Sequence, residues 1–268
     1  MNIPPGHAPS HADSAGGGYR IVAATGMDRG DRDYQQDQLA LLAHPRDGGC
    51  VLGVVADGMG GRSGGRKAAD QVMLTARQVF ARYHSADDDP QAFLARLAQE
   101  AHMMIRITAV AAEQEPHSTI AAFLLNPRGD CHWVHSGDSR IYHFRGDALQ
   151  WRTRDHSWVE SLVESGELTP DQARQDPRSN VLMSCLGAEE EPVLAHHSTG
   201  TLLAGDTLLA CSDGLWHYFT DQELARVLHR LAPREACEFL VARARQRAAG
   251  IGDNLSLIVL KLLPLDSA

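Results

Sequence analysis

Five aspartates occupy positions that could do chemistry, because each lies near the end of a predicted strand and four of them stand beside glycine, asparagine or serine. They are Asp37, Asp57, Asp138, Asp213 and Asp253. Any one alone is typical of a turn, where Asp before Gly is common. If the strand ends converge, the carboxylates form an oxygen-rich cluster without thiol or imidazole, which suits hard divalent cations such as Mg²⁺ or Mn²⁺. The pattern therefore indicates an acidic metal site able to present an activated water to a phosphate.

The elements that must position these aspartates are predicted from periodicity. Strands are predicted at residues 19–25, 39–43, 51–56, 193–197, 207–211 and 255–260, with a meander over 118–152. Helices are predicted from about residue 64 to 83, from 90 to about 112, and as a second pair beginning near Thr220 and Pro233. Strands in runs and helices in pairs favour an α+β fold with antiparallel sheets over a doubly wound fold.

Composition narrows the class of protein. The 268 residues include 25 Lys+Arg and 34 Asp+Glu, a net charge of −9 that argues against nucleic acid and anionic membrane surfaces as partners. No apolar stretch reaches the roughly 18 residues of a membrane helix, so no membrane insertion is expected. Five scattered cysteines without C-x-x-C spacing predict reduced thiols and a cytoplasmic location. Residues 1–18 lack the apolar segment of a signal peptide, and we expect a flexible tail there.

The aspartates lie in short motifs that follow one another along the chain. In order these are Arg32-x-x-Gln35-Gln36-Asp37, Asp57-Gly58-Met59-Gly60-Gly61, Gly137-Asp138-Ser139-Arg140, Ser212-Asp213-Gly214-Leu215 and Gly252-Asp253-Asn254-Leu255-Ser256. In order and spacing they resemble the motifs of the metal-dependent, type-2C protein serine/threonine phosphatases in their bacterial form. The resemblance spans roughly residues 19–262, and five motifs together are far more specific than any one of them.

The resemblance implies a phosphatase that hydrolyses phosphoserine and phosphothreonine in proteins by attack of a water bridging two Mn²⁺ or Mg²⁺ ions, without a phosphoenzyme. Two ions would bind tightly and a third more weakly. The implied fold is an antiparallel β-sandwich flanked by pairs of α-helices, in four αββα layers over residues 19–264. A small flap insertion is expected at about residues 156–187, and a C-terminal tail at 265–268. Phosphorylated proteins would be the substrates, and a cognate Ser/Thr kinase would supply them or itself be a partner.

The same resemblance assigns the metal ligands. They would be Asp37, Asp57, Gly58, Asp138, Asp213 and Asp253. Asp57 would bridge the ions, and Gly58 would contribute its backbone carbonyl. Asp213 and Asp253 would hold the second ion, and Asp37 would belong to the same ligand network. Asp138 would share the third, weaker ion with Asp213.

Arg32 and Asp57 are the implied catalytic residues. Arg32 would bind the phosphate, a role that suits a planar fork of donors facing phosphate oxygens. Gln36 and Asn254 would lie next to the ligands without touching the ions. Met59 stands where animal members carry a histidine proposed as general acid, so we expect water to protonate the leaving group.

Three other interpretations are weaker. The glycines of residues 60–67 do not fit the Gly-x4-Gly-Lys spacing of a P-loop, and Ser63 lies too far from a strand end for a nucleophile elbow. The 14 histidines show no zinc spacing and are interpreted as surface or packing residues. The remaining alternative is a catalytically weak phosphatase-like domain that binds phosphoproteins as a regulatory module, retaining binding without turnover.

Overall fold

A computed structural model describes residues 18–112 and 115–265. It contains twelve strands, listed in chain order: β1 (Tyr19–Asp28), β2 (Gln38–Ala43), β3 (Val51–Ala56), β4 (Gly58–Met59), β5 (His117–Ser118), β6 (Ile120–Leu125), β7 (Asp130–Ser136), β8 (Arg140–Arg145), β9 (Ala148–Arg152), β10 (Ala195–Thr201), β11 (Asp206–Cys211) and β12 (Leu255–Pro264). The tails predicted at residues 1–18 and 265–268 lie outside the described ranges, apart from Gly18 and Leu265.

The strands form two five-stranded antiparallel sheets. Sheet 1 has the order β1-β12-β11-β8-β9, and sheet 2 has the order β10-β7-β6-β3-β2. A separate two-stranded pair joins β4 to β5. Many strands are short and apolar on both faces, as expected where each sheet is covered on both sides.

The helices form the outer layers. They are α1 (Gly61–Phe80), α2 (Pro90–Ala112), α3 (Trp158–Glu164), α4 (Pro170–Gln175), α5 (Asp213–Trp216), α6 (Asp221–Arg230) and α7 (Pro233–Ala248). The pair α1 and α2 packs on sheet 2, whereas α6 and α7 pack on sheet 1. Within the described ranges, we find no helix with both the length and the apolar character needed to cross a bilayer.

Three apolar clusters hold these layers together. The central cluster lies between the two sheets and includes Phe123, Trp133 and Ile258, all fully buried. One outer cluster fills the space under α1 and α2, and the other fills the space under α6 and α7. Burial of apolar surface is the main stabilising contribution in such a core. The predicted four-layer αββα sandwich is therefore confirmed.

Several predicted boundaries were wrong. Helix α1 begins at Gly61 instead of residue 64, because Gly60 adopts a left-handed backbone conformation with φ 117° and turns the chain directly into the helix. The strand predicted from residue 118 is interrupted at Thr119, whose backbone N–H donates to Asp57 O at 2.8 Å instead of to a strand neighbour. The four-residue helix α5 was missed, since it is too short for a periodic apolar pattern.

Residues 156–187, predicted as a flap, lie between β9 and β10 in the chain. This segment carries α3 and α4, and Ser157 pairs with Leu182 in an isolated bridge. Its first residue donates its backbone N–H to Gly137 O at 2.9 Å, and near its far end Leu186 exchanges backbone hydrogen bonds with Ser118. Both ends of the segment are therefore attached to residues next to the predicted metal ligands.

A buried carboxylate joins two strands of sheet 1. Asp206 is fully buried and accepts two hydrogen bonds from Arg145, at 2.7 and 2.9 Å, and one from Leu203 N at 2.9 Å. Burial alone would raise the pKa of Asp206, but the hydrogen bonds from Arg145 and His143 outweigh it and hold the pKa well below its usual range. The charged carboxylate is therefore the form that stabilises the fold.

We predict that Asp206→Asn lowers the free energy of unfolding at pH 7 by about 1–3 kcal/mol, the contribution of hydrogen bonds to a charged group. Because the folded pKa is lowered, this contribution is complete above the unfolded pKa of about 4 and is lost as the pH falls below it. Denaturant unfolding at pH 7 and at pH 3 should therefore show a smaller difference between the variant and the parent at pH 3. Glu238→Gln, at a 66% exposed ion pair, is the control and should change little. An equal difference at both pH values would contradict the assignment.

Candidate metal and phosphate site

The register of the strands brings the five aspartates to one edge of the sandwich. In sheet 2, Gln38 pairs with Ala56, which places Asp37 beside Asp57. In sheet 1, Cys211 pairs with both Arg140 and Leu257. Those two pairings bring the start of β8 and the start of β12 to the end of β11, where Asp213 opens α5. The turns carrying Asp138 and Asp253 precede β8 and β12 and so lie at the same edge.

The aspartate carboxylates raise one another's pKa values. The pKa of Asp57 is raised well above its usual value, first by burial and then by the charges of Asp37 and Asp213. The pKa of Asp213 is raised in the same way, by burial and then by the charges of Asp138 and Asp253. Like charges in a poorly solvated site disfavour ionisation. The aspartates are therefore close enough to interact electrostatically, and their role as metal ligands stays a prediction.

Two members of the cluster show weaker shifts. Burial raises the pKa of Asp37 to about 6, although the hydrogen bonds from Ser212 and Ser256 lower it in part. Burial raises the pKa of Asp138 to about 7, with a further increase from the Asp155 charge and a partial decrease from Arg140. Near neutral pH and without bound cations, the cluster is therefore partly protonated.

Serines missed as functional residues hold Asp37 in place. Ser212 Oγ lies 2.6 Å from Asp37 Oδ2 and donates to it, and it accepts from Ser256 N at 3.0 Å. Both serines are fully buried. A hydroxyl next to an aspartate motif at the end of an apolar strand was the available signal, but the partner of Ser212 is 175 residues away in the chain.

Thr119 ties two of the aspartate turns together. Its Oγ1 accepts from Asp57 N at 3.0 Å and shares a 2.7 Å hydrogen bond with Ser139 Oγ. Next to it, Gly58 is so tightly enclosed that a Cβ would lie 2.0 Å from Gly65 O. The turn after β3 therefore accepts only glycine at that position, which leaves the backbone of Gly58 close to the cluster.

Arg32 lies at the cluster, where it is paired with an aspartate. Its Nη2 donates to Asp253 Oδ2 at 2.5 Å, and the two side chains are 62% and 42% exposed. The predicted phosphate-binding arginine thus contacts a predicted metal ligand. Because the pair is exposed, the ion pair contributes little to stability and can be exchanged for another anion.

Gln36 and Asn254 fix the loop that carries Arg32. Asn254 Nδ2 donates to Arg29 O at 2.8 Å and to Tyr34 O at 2.9 Å, and its Oδ1 accepts from Gln36 N at 2.7 Å. Gln36 Nε2 donates to Gly61 O at 2.8 Å. Both side chains bond to the backbone, so in this structure they position the loop, and their predicted place beside the metal ligands stays a prediction.

The donor set fits divalent cations. Asp37 Oδ1 and Asp213 Oδ1 are buried without a hydrogen-bond partner within residues 18–112 and 115–265. In the same ranges, no group of three or more aspartate, glutamate, histidine or cysteine side chains is arranged so that it could hold a metal ion. Asp253 instead contacts Arg32, and Asp37 accepts a hydrogen bond from Ser212. Unpaired carboxylate oxygens among like charges are what Mg²⁺ or Mn²⁺ would neutralise.

Known proteins are similar to this chain in sequence and in fold. The family described as Protein phosphatase 2C matches residues 29–247. The serine/threonine protein phosphatase PstP of Mycobacterium tuberculosis is 32% identical over 227 residues, 81% of this chain and 41% of that protein. The protein phosphatase PhpP of Streptococcus pneumoniae is 26% identical over 216 residues, 80% of this chain and 87% of that protein.

Among solved structures, the catalytic domain of PstP in complex with two manganese ions matches with a TM-score of 0.77 at 27% identity, covering 91% of this chain and 98% of that one. The αββα sandwich described above is also the fold of this solved phosphatase structure. The chain belongs to the protein phosphatase 2C family. It spans less than half the length of the full PstP protein, 41%.

We predict that Asp138→Asn stabilises the metal-free protein, because it removes one like charge from the cluster. In chelator at pH 7.5 the expected gain is roughly 1 kcal/mol, or about 2–4 °C in Tm for a chain of this size. The raised pKa means that the folded state takes up protons more readily than the unfolded state. The parent should therefore gain stability as the pH falls from 7.5 to 5.5, and the variant should gain less.

Thermal unfolding by calorimetry in chelator checks this prediction. Asp147→Asn removes an exposed carboxylate from the β8–β9 turn, away from the cluster, and should leave Tm nearly unchanged. A lower Tm for Asp138→Asn than for the parent at pH 7.5 would show that repulsion does not dominate this edge.

Proposed function

We propose that this protein hydrolyses phosphoserine and phosphothreonine esters in proteins with the help of Mn²⁺ or Mg²⁺. The carrying observation is the cluster of five aspartates at one edge of the sandwich, with buried carboxylate oxygens on Asp37 and Asp213 that lack a partner in the described ranges. Relatives named serine/threonine phosphatases, and the manganese-containing structure of one of them, support the proposal.

The residues that would hold the ions follow from the site. Asp57, central to the charge repulsion, would be shared between two ions, with Gly58 offering its carbonyl. Asp213 and Asp253 would complete the second position, with Asp37 next to them, and Asp138 with Asp213 would bind a third, weaker ion. When bound, such ions neutralise phosphate charge and lower the pKa of a coordinated water.

Arg32 orients the phosphate by exchanging its carboxylate partner for the phosphate group. Arg32 contacts Asp253 before substrate binds, and the exposed guanidinium can transfer its donors from that carboxylate to two phosphate oxygens. This exchange frees Asp253 as substrate binds. Met59, in β4, has no ionisable group, so the leaving serine or threonine oxygen takes its proton from water.

The cellular setting is part of the proposal. All five cysteines are free thiols, and four of them are buried, which supports a reducing compartment such as the cytoplasm. A protein serine/threonine kinase must generate the phosphoprotein substrates, and a cognate kinase is the proposed counterpart of this enzyme. Such a kinase could itself be a substrate, since many carry phosphothreonine on their own surface loops.

The first prediction here concerns turnover. With Mn²⁺ the purified protein should release phosphate from a phosphothreonine peptide, and an excess of chelator should abolish the reaction. Asp57→Asn and Asp213→Asn should each lower kcat/KM at least about 100-fold, because the ions contribute several kcal/mol to transition-state stabilisation. The control Asp147→Asn should retain activity. Binding of the peptide by the parent without phosphate release would instead indicate the regulatory-module alternative.

The second prediction concerns Arg32. Arg32→Ala should raise KM for the phosphopeptide and lower kcat/KM by about 10- to 100-fold, the loss of a charge-assisted, two-pronged contact. Calorimetric Mn²⁺ affinity should be unchanged or higher, since Asp253 loses its competing partner. Arg234→Ala, at an 87% exposed ion pair on α7, provides the control. Weaker Mn²⁺ binding by Arg32→Ala would show that this arginine supports the metal ligands instead of the substrate.

A further inference from the structure

A buried arginine lies next to the aspartate cluster. Arg140 follows Asp138 by two residues and forms a two-pronged pair with Asp155, with both N–O distances at 2.7 Å. Both side chains are less than a tenth exposed. A buried ion pair seldom adds net stability over apolar packing, because desolvation of the charges offsets their attraction. The pair therefore calls for a role other than stabilising the core.

Trp216 connects this pair to two metal ligands. The guanidinium carbon of Arg140 lies 3.5 Å from the centre of the Trp216 ring, in a cation–π stack. The Trp216 indole N–H donates to the backbone carbonyl of Asp138 at 2.9 Å. Trp216 is also the last residue of α5, whose first residue is Asp213. One side chain thus spans from the Asp138 turn to the helix that begins with Asp213.

The flap segment joins the same group at its first residue. Asp155 immediately precedes His156, which donates its backbone N–H to Gly137 O at 2.9 Å. The peptide groups on either side of the Asp138 Cα are therefore held from opposite directions. The start of the flap holds one, and Trp216 holds the other.

We propose that Arg140, Asp155 and Trp216 are positioning residues that set Asp138 against Asp213 and couple cation binding between these aspartates to the flap segment. None of the three contacts the substrate or is itself a metal ligand. Their ion pair, cation–π contact and hydrogen bond fix the positions of the two aspartates. Residues that hydrogen-bond to metal ligands play this part in other metal sites. The proposal concerns metal binding and flap order, and it does not require that the protein turn over any substrate.

A second arginine on the same strand provides the comparison. Arg145, at the other end of β8, forms a two-pronged pair with Asp206 at 2.7 and 2.9 Å. That pair has no hydrogen bond to the metal ligands or the flap in the described part of the chain. The Arg145 side chain is 47% exposed, whereas its Asp206 partner is fully buried. If Arg–Asp pairs on β8 served only the fold, loss of either pair would affect metal binding equally.

The test uses Trp216→Phe, which keeps an aromatic ring against Arg140 but removes the donor to the Asp138 carbonyl. Mn²⁺ titration calorimetry on the purified protein should show the weakest site about 10-fold weaker than in the parent, with the tighter sites within about 2-fold. Amide hydrogen exchange over residues 156–187 is the second measurement. Mn²⁺ should slow this exchange in the parent, and the slowing should be lost in Trp216→Phe.

Two further variants keep the test decisive. Arg145→Lys is the matched control and should bind Mn²⁺ and protect the flap segment like the parent. Asp155→Asn breaks the pair from the flap side, and it should give the same two defects as Trp216→Phe if the latter does not fold. Unchanged Mn²⁺ binding and flap protection in the folded variants would overturn the proposal, as would equal defects in Arg145→Lys. A protein with the expected binding pattern that cleaves no phosphopeptide would refute the proposed function alone.

Discussion

Repulsion among carboxylates at one edge of a β-sandwich is the constraint on which this structure depends. Asp57 and Asp213 have strongly raised pKa values because burial and neighbouring charges both disfavour their ionised forms. The apolar core lies elsewhere, between the sheets and under the helix pairs, and can stabilise the fold while this edge remains unfavourable. Such an arrangement lowers the stability of this edge in the absence of cations, so that cation binding stabilises the protein strongly.

The surrounding polar residues place the carboxylates without neutralising them. Ser212 and Thr119 use hydroxyl groups, which orient a carboxylate or its backbone but bring no positive charge. Arg140 does bring a charge, but it donates to Asp155 and Tyr142. Arg32 is the cation that directly contacts the cluster, through an exposed pair that can be released. The positions of the carboxylates are thus set by neutral hydroxyl groups and by an arginine that is paired with another residue. This leaves carboxylate oxygens open for bound ions.

Much of this site could be predicted from sequence, because each aspartate sits in a short local motif at a strand end. The five motifs and an α+β fold with antiparallel sheets follow from local patterns, and the four-layer αββα sandwich follows from the family resemblance that the motifs carry. Contacts between distant segments could not be predicted in the same way. The Ser212–Asp37 bond spans 175 residues, and the Arg32–Asp253 pair spans 221. Helix α5 lacks the length for a periodic signal, although it presents both Asp213 and Trp216.

The central claim is that the cluster holds protons in the absence of cations and exchanges them for divalent ions. Titration calorimetry with Mn²⁺ at pH 6, repeated in buffers of different ionisation enthalpy, measures both the number of ions bound and the protons released. The account predicts at least two ions per chain and a net release of protons on binding, because the pKa values of Asp37 and Asp138 are raised to about 6 and about 7. Binding of fewer than two ions, or binding without proton release, would contradict it.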